Sequence, residues 1–454
     1  MFFELRNGSL YEIPGSIGKN PLSDLGNFYI DQVNDSFSTI IDSYNDRCYI
    51  VPVDAVRYGI DDLFKNEISK KIIDTSYENS EYKNVTTFIL AITYACNFKC
   101  SYCYQQYNNK LKRTVISNDN LMYIFDIIST YMKKYPNKEI ELGLFGGEPL
   151  LPQNEDVINK IIDFCKKERI QFHIATNGFY LPFFMKKFII NRNFISSIGM
   201  TIDSLELISS TRISVSRQEK YSSNTEQLIK SIKTLIFYGI NVHVETNLDL
   251  HNYRDIRKIE ASFRENGLLD NPKFHWFLGR VDDRLYETNY PDIIPEYFIT
   301  NELFKNKLSN NIHSAYLKTT LNLTKKLGFD PHQSELVSRN SYCFASSDLD
   351  NVFYIDNDLK TYRCTYTVGR PEFSIFDFSM QNLENYTPHS ITSSSYKECS
   401  SCSIGGYCGG GCQLSHHANF TKCCSYEKQS FSGFIKEVFS PKLNELLRNY
   451  NDEN

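Results

Sequence analysis

The sequence of 454 residues contains no apolar stretch that approaches the roughly 20 residues needed for a membrane-spanning helix. Charged residues, Glu4 and Arg6, occur among its first six residues, which lack the long apolar run of a signal peptide. The net charge is -5 and no basic stripe dominates any segment, which gives no electrostatic case for a nucleic-acid partner. We therefore predict a cytoplasmic protein with neither a membrane nor a nucleic acid as its partner.

Cysteine, in contrast, is abundant. The sequence has 13 cysteines, and in a cytosolic protein metal binding is a better explanation for them than disulfide bonds. Three lie between residues 96 and 103, and eight fall between Cys343 and Cys424, a segment that we call the second cysteine field. Cys48 and Cys165 stand alone, and we interpret them as small buried apolar residues.

Cys96, Cys100 and Cys103 form a C-x3-C-x2-C triplet. They offer three thiolates where a cubane iron–sulfur cluster needs four. Structural zinc sites and electron-transfer clusters are usually closed by four protein ligands, whereas an iron that lacks one can bind a substrate or cofactor directly. The triplet therefore predicts an open cluster.

Residues 85 to 281 alternate between strand-like and helix-like patterns, which predicts a parallel sheet with right-handed crossovers. This α/β pattern leaves a barrel and an open doubly wound sheet as alternatives. The predicted strands are Val85–Thr93, Glu139–Phe145, Gln171–Thr176, Ser197–Asp203, Ile240–Leu248 and Phe274–Val281. The predicted helices are Asn118–Lys134, Asp156–Lys167, Leu181–Ile190, Thr225–Tyr238 and Tyr253–Glu265.

One predicted strand favours the barrel. In residues 241–247 the valines occupy one face, and His243, Glu245 and Asn247 share the other. Leaving a polar group unsatisfied on a buried face costs about 1–3 kcal/mol, and a lumen that holds a polar ligand would avoid this cost. A polar edge strand that faces solvent is the alternative.

The triplet, with the aromatic Tyr102 just before its last cysteine, resembles the signature of the radical S-adenosylmethionine (SAM) enzymes. In that family SAM chelates the fourth iron, and an electron from the cluster cleaves SAM to methionine and a 5′-deoxyadenosyl radical, which abstracts a hydrogen from substrate. The resemblance implies a partial (β/α)6 TIM-like barrel with the cluster loop after the first strand.

The resemblance also implies SAM contacts near the ends of the strands, where parallel α/β folds bind their ligands. A G-G-E-P segment follows the second strand, T-N-G closes the third, and positions at the end of the fourth match residues that bind the SAM ribose. An arginine further on matches one that pairs with the SAM carboxylate, although an ordinary surface arginine is the alternative. The residues concerned are Tyr102, Gly146, Gly147, Glu148, Pro149, Thr176, Asn177, Thr201, Asp203 and Arg212.

The second cysteine field contains a dense, glycine-rich array whose four thiolates could, from spacing alone, form a zinc site. With its flanking cysteines, however, the field resembles a SPASM domain, which binds two auxiliary [4Fe–4S] clusters. The resemblance implies that the first auxiliary cluster is bound by Cys343, Cys364 and Cys412. It gives Cys399, Cys402 and Cys408, with Cys423 or Cys424, to the second.

The field departs from the SPASM pattern at two places. The turn Asn357-Asp358-Leu359 lacks the usual glycine, and no further cysteine follows shortly after Cys343. We therefore expect an open iron in the first auxiliary cluster, which Asp348, Asp350 or a substrate thiolate could fill. The implied cofactors are SAM and three [4Fe–4S] clusters.

We expect five segments along the chain. These are a small α+β module at 1–84, a radical SAM core at 85–300, a helical bridge at 301–340, a SPASM domain at 341–430, and a C-terminal helix at 431–454 that is broken around Pro441. Asn7-Gly8, between Phe2–Leu5 and Leu10–Ile13, predicts a hairpin in the first module. This module could recognise a leader peptide or be an unrelated cap.

SPASM enzymes mostly modify peptides or proteins. The resemblance implies a maturase that forms a thioether or carbon–carbon crosslink in a ribosomally made precursor peptide, with flavodoxin or ferredoxin as electron donor. One alternative is an anaerobic sulfatase maturase that makes formylglycine, although the long first module and the missing cysteine count against it. A noncatalytic iron–sulfur protein that binds peptides is another, which the intact triplet and Glu148 oppose. The sequence identifies no general base, but His243, Glu245 and Tyr104 are candidate lumen residues.

Overall fold

The computed structural model describes residues 2–4, 10–12, 28–43, 47–53, 85–107, 111, 113–205, 212–214, 225–283, 290–306, 312–314, 320, 323–324, 327, 352–377, 397–399, 402–408 and 410–453. Three of the predicted iron ligands, Cys343, Asp348 and Asp350, lie outside these residues, as does most of the predicted helical bridge.

The first module contains a five-stranded sheet. Its strands are β1 (Phe2–Glu4), β2 (Leu10–Glu12), β3 (Tyr29–Gln32), β4 (Phe37–Asp42) and β5 (Arg47–Pro52), in the order β1-β2-β5-β4-β3. Strands β1 and β2 pair in antiparallel fashion, with Phe2 opposite Glu12, as the hairpin prediction requires. Residues 13–27 and 54–84 of this predicted α+β module lie outside the described residues.

The central part of the chain alternates strands and helices as predicted. Its elements are β6 (Val85–Thr93), β7 (Phe98–Cys100), α1 (Asn118–Lys134), β8 (Glu139–Gly146), α2 (Glu155–Glu168), β9 (Gln171–Thr176), α3 (Leu181–Ile190), β10 (Ile195–Thr201), β11 (Arg212–Ser214), α4 (Thr225–Phe237), β12 (Asn241–Leu248), α5 (Ile256–Glu265) and β13 (Phe274–Arg280). Strands β6, β8, β9, β10, β12 and β13 are parallel neighbours in this order. The predicted parallel α/β core is therefore present.

The helices form where apolar residues recur at helical spacing. In α1, Leu121, Ile124 and Ile128 are buried, and the Ser117 side chain caps the helix by accepting a hydrogen bond from the backbone N–H of Asn120 at 3.1 Å. The main apolar core lies between the sheet and these helices, and it includes the fully buried Trp276.

Strand β12 has the two faces that its sequence predicts. Val242, Val244 and Leu248 are buried in the helix-facing core, whereas the residues that alternate with them are only half-buried. Because β12 lies between β10 and β13, it is not an edge strand, and the edge-strand alternative was wrong. The polar face of β12 lines the other side of the sheet, which we call the lumen.

The C-terminal part extends the same sheet at both ends. Its elements are α6 (Glu296–Asn306), β14 (Ile312–Ser314), β15 (Val352–Ile355), β16 (Lys360–Tyr362), β17 (Phe376–Asp377), α7 (Gly405–Cys408), α8 (Gln413–Phe434), a π-helical turn (Ile435–Phe439) and α9 (Ser440–Glu453). Strand β14 pairs with β13, and β15 pairs in parallel with β6. Among the described strands the two ends of this ten-stranded sheet do not meet, so the barrel is not closed.

The predicted C-terminal helix begins within α8, and its break is the π-helical turn. Pro441 lies in the first turn of α9, where a residue without a backbone N–H is tolerated. No helix in the described part of the chain has both the length and the apolar character to cross a membrane.

The five-stranded sheet packs against α8 and α9. Ile41 and Ile50 share an apolar cluster with Phe431 and Phe434, and the isolated Cys48 is buried in the same cluster, as predicted. The Ser43 hydroxyl donates to the carbonyl oxygen of Ser403 at 2.9 Å, just before α7. The first module therefore contacts the glycine-rich array of the second cysteine field.

Candidate functional site

Residues 94–104, which we call the cluster loop, follow β6 and carry the cysteine triplet. Cys96, Cys100 and Cys103 are all free thiols and all half-buried. Strand β11 pairs with β7 inside this loop and places the backbone of Arg212 opposite Cys100. The backbone of the predicted SAM-binding arginine therefore lies beside the triplet. Its side chain is outside the described part of the structure.

The environment of the triplet fits a set of iron ligands. Burial raises the pKa of the Cys96 thiol to about 12, and negative charge on Glu148, Cys100 and Cys103 acts in the same direction. A buried thiol such as that of Cys96 keeps its proton until a cation displaces it, as occurs when a metal binds. The buried Nδ2 of the adjacent Asn97 has no hydrogen-bond partner among the described residues, which is a further sign that a polar group belongs here.

The two glycines of the G-G-E-P segment allow its backbone to approach the cluster loop closely. Gly146 has a φ of 130°, and a Cβ atom there would collide with the carbonyl oxygen of Thr93. A Cβ atom on Gly147 would collide with the carbonyl oxygen of Ala95. The backbone N–H of Gly147 donates to the Thr93 carbonyl at 2.8 Å, so the segment is attached to the chain that leads into the triplet.

Glu148 joins the ends of β8 and β9. It is fully buried, and its Oε1 accepts hydrogen bonds from the Thr176 hydroxyl at 2.6 Å and the Leu150 backbone N–H at 2.8 Å. Its Oε2 accepts from the backbone N–H of Asn177 at 2.7 Å. Three of the predicted SAM-binding residues, Glu148, Thr176 and Asn177, thus meet at the Glu148 carboxylate. Pro149 follows it directly, and its carbonyl oxygen accepts from the Asn154 side chain at 3.0 Å.

Asn177 reaches the cluster loop. Its Nδ2 donates to Asn97 Oδ1 at 2.8 Å and lies 3.8 Å from the Cys96 sulfur. Sequence reasoning assigned Asn177 to SAM and missed Asn97. The position of Asn97 directly after the first cysteine was the one available signal for it.

The fourth predicted SAM segment also contacts the cluster loop. The Tyr102 hydroxyl donates to Asp203 Oδ2, and Asp203 Oδ1 accepts from the backbone N–H of Asn247 at 2.8 Å. Asp203 is buried, and Thr201 is half-buried at the end of β10. The predicted ribose-binding positions therefore lie between the loop that carries the triplet and the end of β12.

The described cysteines of the second field fall into two sets. Cys399, Cys402, Cys408, Cys423 and Cys424 line one small cavity together with Gly410, Gly411, His416, Glu427 and Lys428. Cys412 instead packs with Leu414, Tyr366 and Phe373, and Tyr366 stands two residues from Cys364. Among the described side chains, no group of three or more is arranged to hold a single metal ion.

Burial and neighbouring charge both protect the thiols of Cys399 and Cys408 from ionisation. Burial raises the pKa of Cys399 to about 11, with Cys424 and Cys402 adding to the effect. Burial raises the pKa of Cys408 well above its usual range, and Glu427 and Cys423 act in the same direction. As at the triplet, clustered cysteines whose thiolates would repel one another suit a cation that replaces the thiol protons.

Cys423 and Cys424 lie shortly after a break in α8. Asn419 has extended φ/ψ angles inside the helix, and its Oδ1 accepts a hydrogen bond from the backbone N–H of Lys422 at 2.9 Å. Asn419 therefore acts as an N-cap, and both cysteines lie near the start of a new helical segment, where the helix dipole favours thiolates. Sequence reasoning missed this cap and Glu427.

The turn of the β15–β16 hairpin contains a residue with an unusual backbone conformation. Leu359 has a φ of 66°, in the left-handed region where glycine is usual. Its backbone N–H donates to the carbonyl oxygen of Asp356 at 3.1 Å, and its side chain is buried. The chain therefore keeps the turn without the glycine.

A model of the Radical SAM superfamily matches residues 90–265. Those residues form a radical SAM domain. The domain contains the triplet, the G-G-E-P and T-N-G segments, and the polar face of β12. The match to this superfamily implies SAM and a [4Fe–4S] cluster for the domain.

Curated relatives and solved structures are similar to this chain at low identity. An S-adenosylmethionine-dependent nucleotide dehydratase from Fibrobacter sp. is 26% identical over 178 residues, which are 38% of this chain and 51% of that protein. One from Psychrobacter lutiphocae is 23% identical over 276 residues, covering 52% of this chain and 91% of that protein. This chain thus spans about half of the first relative and most of the second.

The structure of native anSMEcpe with bound AdoMet and Cp18Cys peptide superposes with a TM-score of 0.56. It is 17% identical in sequence, and the match covers 80% of this chain and 99% of that one. At this identity the similarity concerns the fold, and it agrees with a radical SAM domain built on a parallel sheet.

Proposed function

We propose that this enzyme is a peptide maturase that abstracts a hydrogen from a ribosomally made precursor peptide and forms a thioether or carbon–carbon crosslink. The observation that carries the proposal is the attachment of the second cysteine field to the radical SAM domain. Strand β15, which precedes Cys364, pairs in parallel with β6, which precedes the triplet. A redox site fixed beside a radical site suits a reaction in which the substrate loses an electron after it loses a hydrogen atom.

The residues that would hold each cofactor follow from their positions. Cys96, Cys100 and Cys103 would hold the SAM-binding cluster, and the ends of β8, β9 and β10 would hold SAM, which supplies the hydrogen-abstracting radical when bound. Cys364 and Cys412, with Cys343, would belong to the first auxiliary [4Fe–4S] cluster. Cys399, Cys402 and Cys408, with Cys423 or Cys424, would belong to the second. Both members of the last pair line the cavity.

Two observations favour a peptide substrate. A structure of similar fold contains AdoMet and a peptide together. In addition, the described strands of the first module form a sheet that ends in β3, and an edge strand can pair with an extended peptide. We infer that this sheet recognises a leader peptide, that flavodoxin or ferredoxin supplies the electron, and that the reaction takes place in the cytoplasm.

The decisive experiment combines anaerobic reconstitution with co-expression. The enzyme is expressed with the peptide encoded by a short open reading frame beside its gene, and mass spectrometry looks for the loss of a pair of hydrogen atoms per crosslink. A nucleotide mixture replaces the peptide in a parallel assay. If nucleotides, but not the peptide, stimulate release of 5′-deoxyadenosine, the peptide assignment is wrong.

A triple variant tests the site itself. Changing Cys96, Cys100 and Cys103 to Ala should remove about a third of the bound iron, because one of three clusters is lost, and should abolish 5′-deoxyadenosine formation. Cys165→Ala is the matched control, since this buried cysteine in α2 lies in the apolar core. Continued SAM cleavage by the triple variant would contradict the assignment.

A further inference from the structure

The lumen contains a row of ionisable side chains that SAM binding does not account for. They lie on β8 and β9 and on β12 and β13, two pairs of neighbouring strands with β10 between them, below the strand ends that carry the predicted SAM contacts. The row comprises Glu141 on β8, His173 on β9, His243 and Glu245 on β12, and His275 on β13. Each occupies a half-buried position that alternates with buried, helix-facing residues.

Glu245 is the uppermost member of this row. It pairs in register with Thr201 on one side and Phe277 on the other, at the level of a predicted ribose-binding residue. Burial raises the pKa of Glu245 to about 7, and the negative charge of Asp203 adds to the rise. Glu245 is thus a carboxyl group that can both take up and release a proton near neutral pH.

His243 lies directly below Glu245 on the same face of β12. Two residues along a strand span about 6.6 Å, a distance that two side chains can bridge, directly or through one water molecule. The His243 ring stacks on the His275 ring of β13, with centroids 5.0 Å apart, and Phe277 lies 5.8 Å away on the same strand. This stack holds the imidazole beneath the carboxyl group.

The lower end of the row is partly exposed. His173 Nδ1 lies 3.6 Å from Glu141 Oε1, and each of these side chains is 27% exposed. Burial acts to raise the pKa of Glu141, but hydrogen bonds from His173 and Ser196 and the nearby charge of His243 lower it overall. Gly143 leaves the space that the His173 ring occupies, because a Cβ atom there would collide with the imidazole.

Crosslinking releases one proton. In net terms, a SAM cation, a substrate C–H and a thiol give methionine, 5′-deoxyadenosine, a thioether and one proton, and the electron used to cleave SAM is returned when the C–S bond forms. SAM and the peptide would occupy the upper part of the lumen, so a proton released there needs another way out.

We propose that Glu245 accepts this proton and that His243 passes it along the row to water at the amino-terminal ends of the strands. This inference rests on the proposed function, since it assigns the proton that the crosslinking reaction must release. Glu245 is the catalytic base of the scheme. His243, His173 and Glu141 carry the proton onward, and His275 holds the His243 ring in place.

The test measures crosslinked peptide per 5′-deoxyadenosine at a series of pH values, using the reconstituted enzyme and its co-expressed peptide. For the wild type this ratio should fall as the pH drops below about 7, because the acid form of Glu245 cannot accept a proton. Glu245→Gln should lower the ratio at least tenfold and remove its pH dependence. His243→Ala should also lower it, and added imidazole should restore it.

Asn241→Ser is the matched control, because it changes the same face of β12 without changing a titratable group, and the Asn241 side chain donates to the Ser196 carbonyl oxygen at 3.0 Å. Its ratio should keep the wild-type pH dependence. Infrared spectra provide a second measurement that needs no peptide. A protonated carboxyl band that titrates near pH 7 should be lost in Glu245→Gln, whereas the band of Glu296, whose pKa burial raises to about 8, should remain.

The outcomes separate the two hypotheses. If the wild type forms crosslinks but Glu245→Gln keeps the wild-type ratio, pH profile and infrared titration, the relay is wrong and the peptide maturase stands. An equal loss in Asn241→Ser would likewise overturn the relay, because packing alone would explain it. If the wild type forms no crosslink, the proposed function itself fails.

Discussion

The rings of Tyr104 and Tyr366 lie one over the other, with centroids 4.4 Å apart and planes tilted by 31°. Tyr104 directly follows Cys103, whereas Tyr366 lies two residues after Cys364. Burial raises the pKa of the Tyr104 hydroxyl well above its usual range, and both of these thiols act in the same direction. One aromatic pair therefore connects the cluster loop to the second cysteine field.

Loss of this pair should weaken the connection measurably. In a double-mutant cycle with Tyr104→Ala and Tyr366→Ala, we expect a coupling energy of about 0.5–1.5 kcal/mol, the range for aromatic pairs. Denaturant unfolding of the apoprotein measures it. Phe237 and Tyr238 form the control pair, because Phe237 is 81% exposed although the centroids are only 5.2 Å apart. Equal coupling in both pairs would contradict a specific role for the first.

Gly147→Ala should disrupt the cluster loop. The new methyl group would collide with the backbone oxygen of Ala95 and lie 2.6 Å from that of Tyr94, and a backbone atom cannot move aside as a flexible side chain can. We expect at least a tenfold loss of SAM affinity, measured by equilibrium binding, together with reduced iron content.

Gly199→Ala is the control for this change. A Cβ atom on Gly199 meets only the Ile174 carbonyl oxygen, at an ordinary 3.6 Å. This variant should retain its iron. If Gly147→Ala binds SAM as tightly as the control, the close approach of the two segments is not required.

Glu296 should make the stability of the protein depend on pH. This buried residue begins α6, and burial raises the pKa of its carboxyl group to about 8, with Glu427 and Asp282 adding to the rise and Arg280 opposing it. The Thr320 hydroxyl, which donates to Glu296 Oε1 at 3.4 Å, also opposes the rise. The folded state therefore holds a proton that the unfolded state releases.

The sign of the effect follows from this difference. The stabilisation is fully present below the ordinary pKa of 4.5 and is lost as the pH rises towards 8. Between these values the free energy of unfolding should fall by up to about 1.4 kcal/mol per pH unit from this group. Glu296→Gln should flatten the dependence, which melting curves at several pH values would show. Glu265→Gln, an exposed change in α5, is the control, and an unchanged slope in Glu296→Gln would contradict the prediction.

Local patterns predicted much of the radical SAM domain. The bounds of α1, α3, β6 and β9 agree with the sequence-based predictions residue for residue, because apolar periodicity and capping residues determine them locally. Strand β10 was placed two residues too late. Its register with β9 shifts between Ile195 and Ser197, and no pattern in the sequence marks such an irregularity.

Contacts between distant segments were not predictable in the same way. The triplet and the G-G-E-P segment could be recognised, but the three hydrogen bonds that occupy Glu148 depend on how β8 and β9 are placed side by side. The packing of the first module against α8 also joins residues about 390 positions apart, such as Ile41 and Phe431. The ligand sets of the auxiliary clusters and the domain boundaries stay predictions.

The pairing of β15 with β6 determines when the radical SAM domain can be finished during synthesis. Val352 pairs with Thr87, so one edge of β6 has no partner until more than half of the chain has been made. An unpaired strand edge can associate with other chains, and contacts between distant segments form slowly. The nascent enzyme therefore passes through a long stage in which the strand leading into the cysteine triplet is open, and a chain shortened before Val352 would keep that edge unpaired permanently.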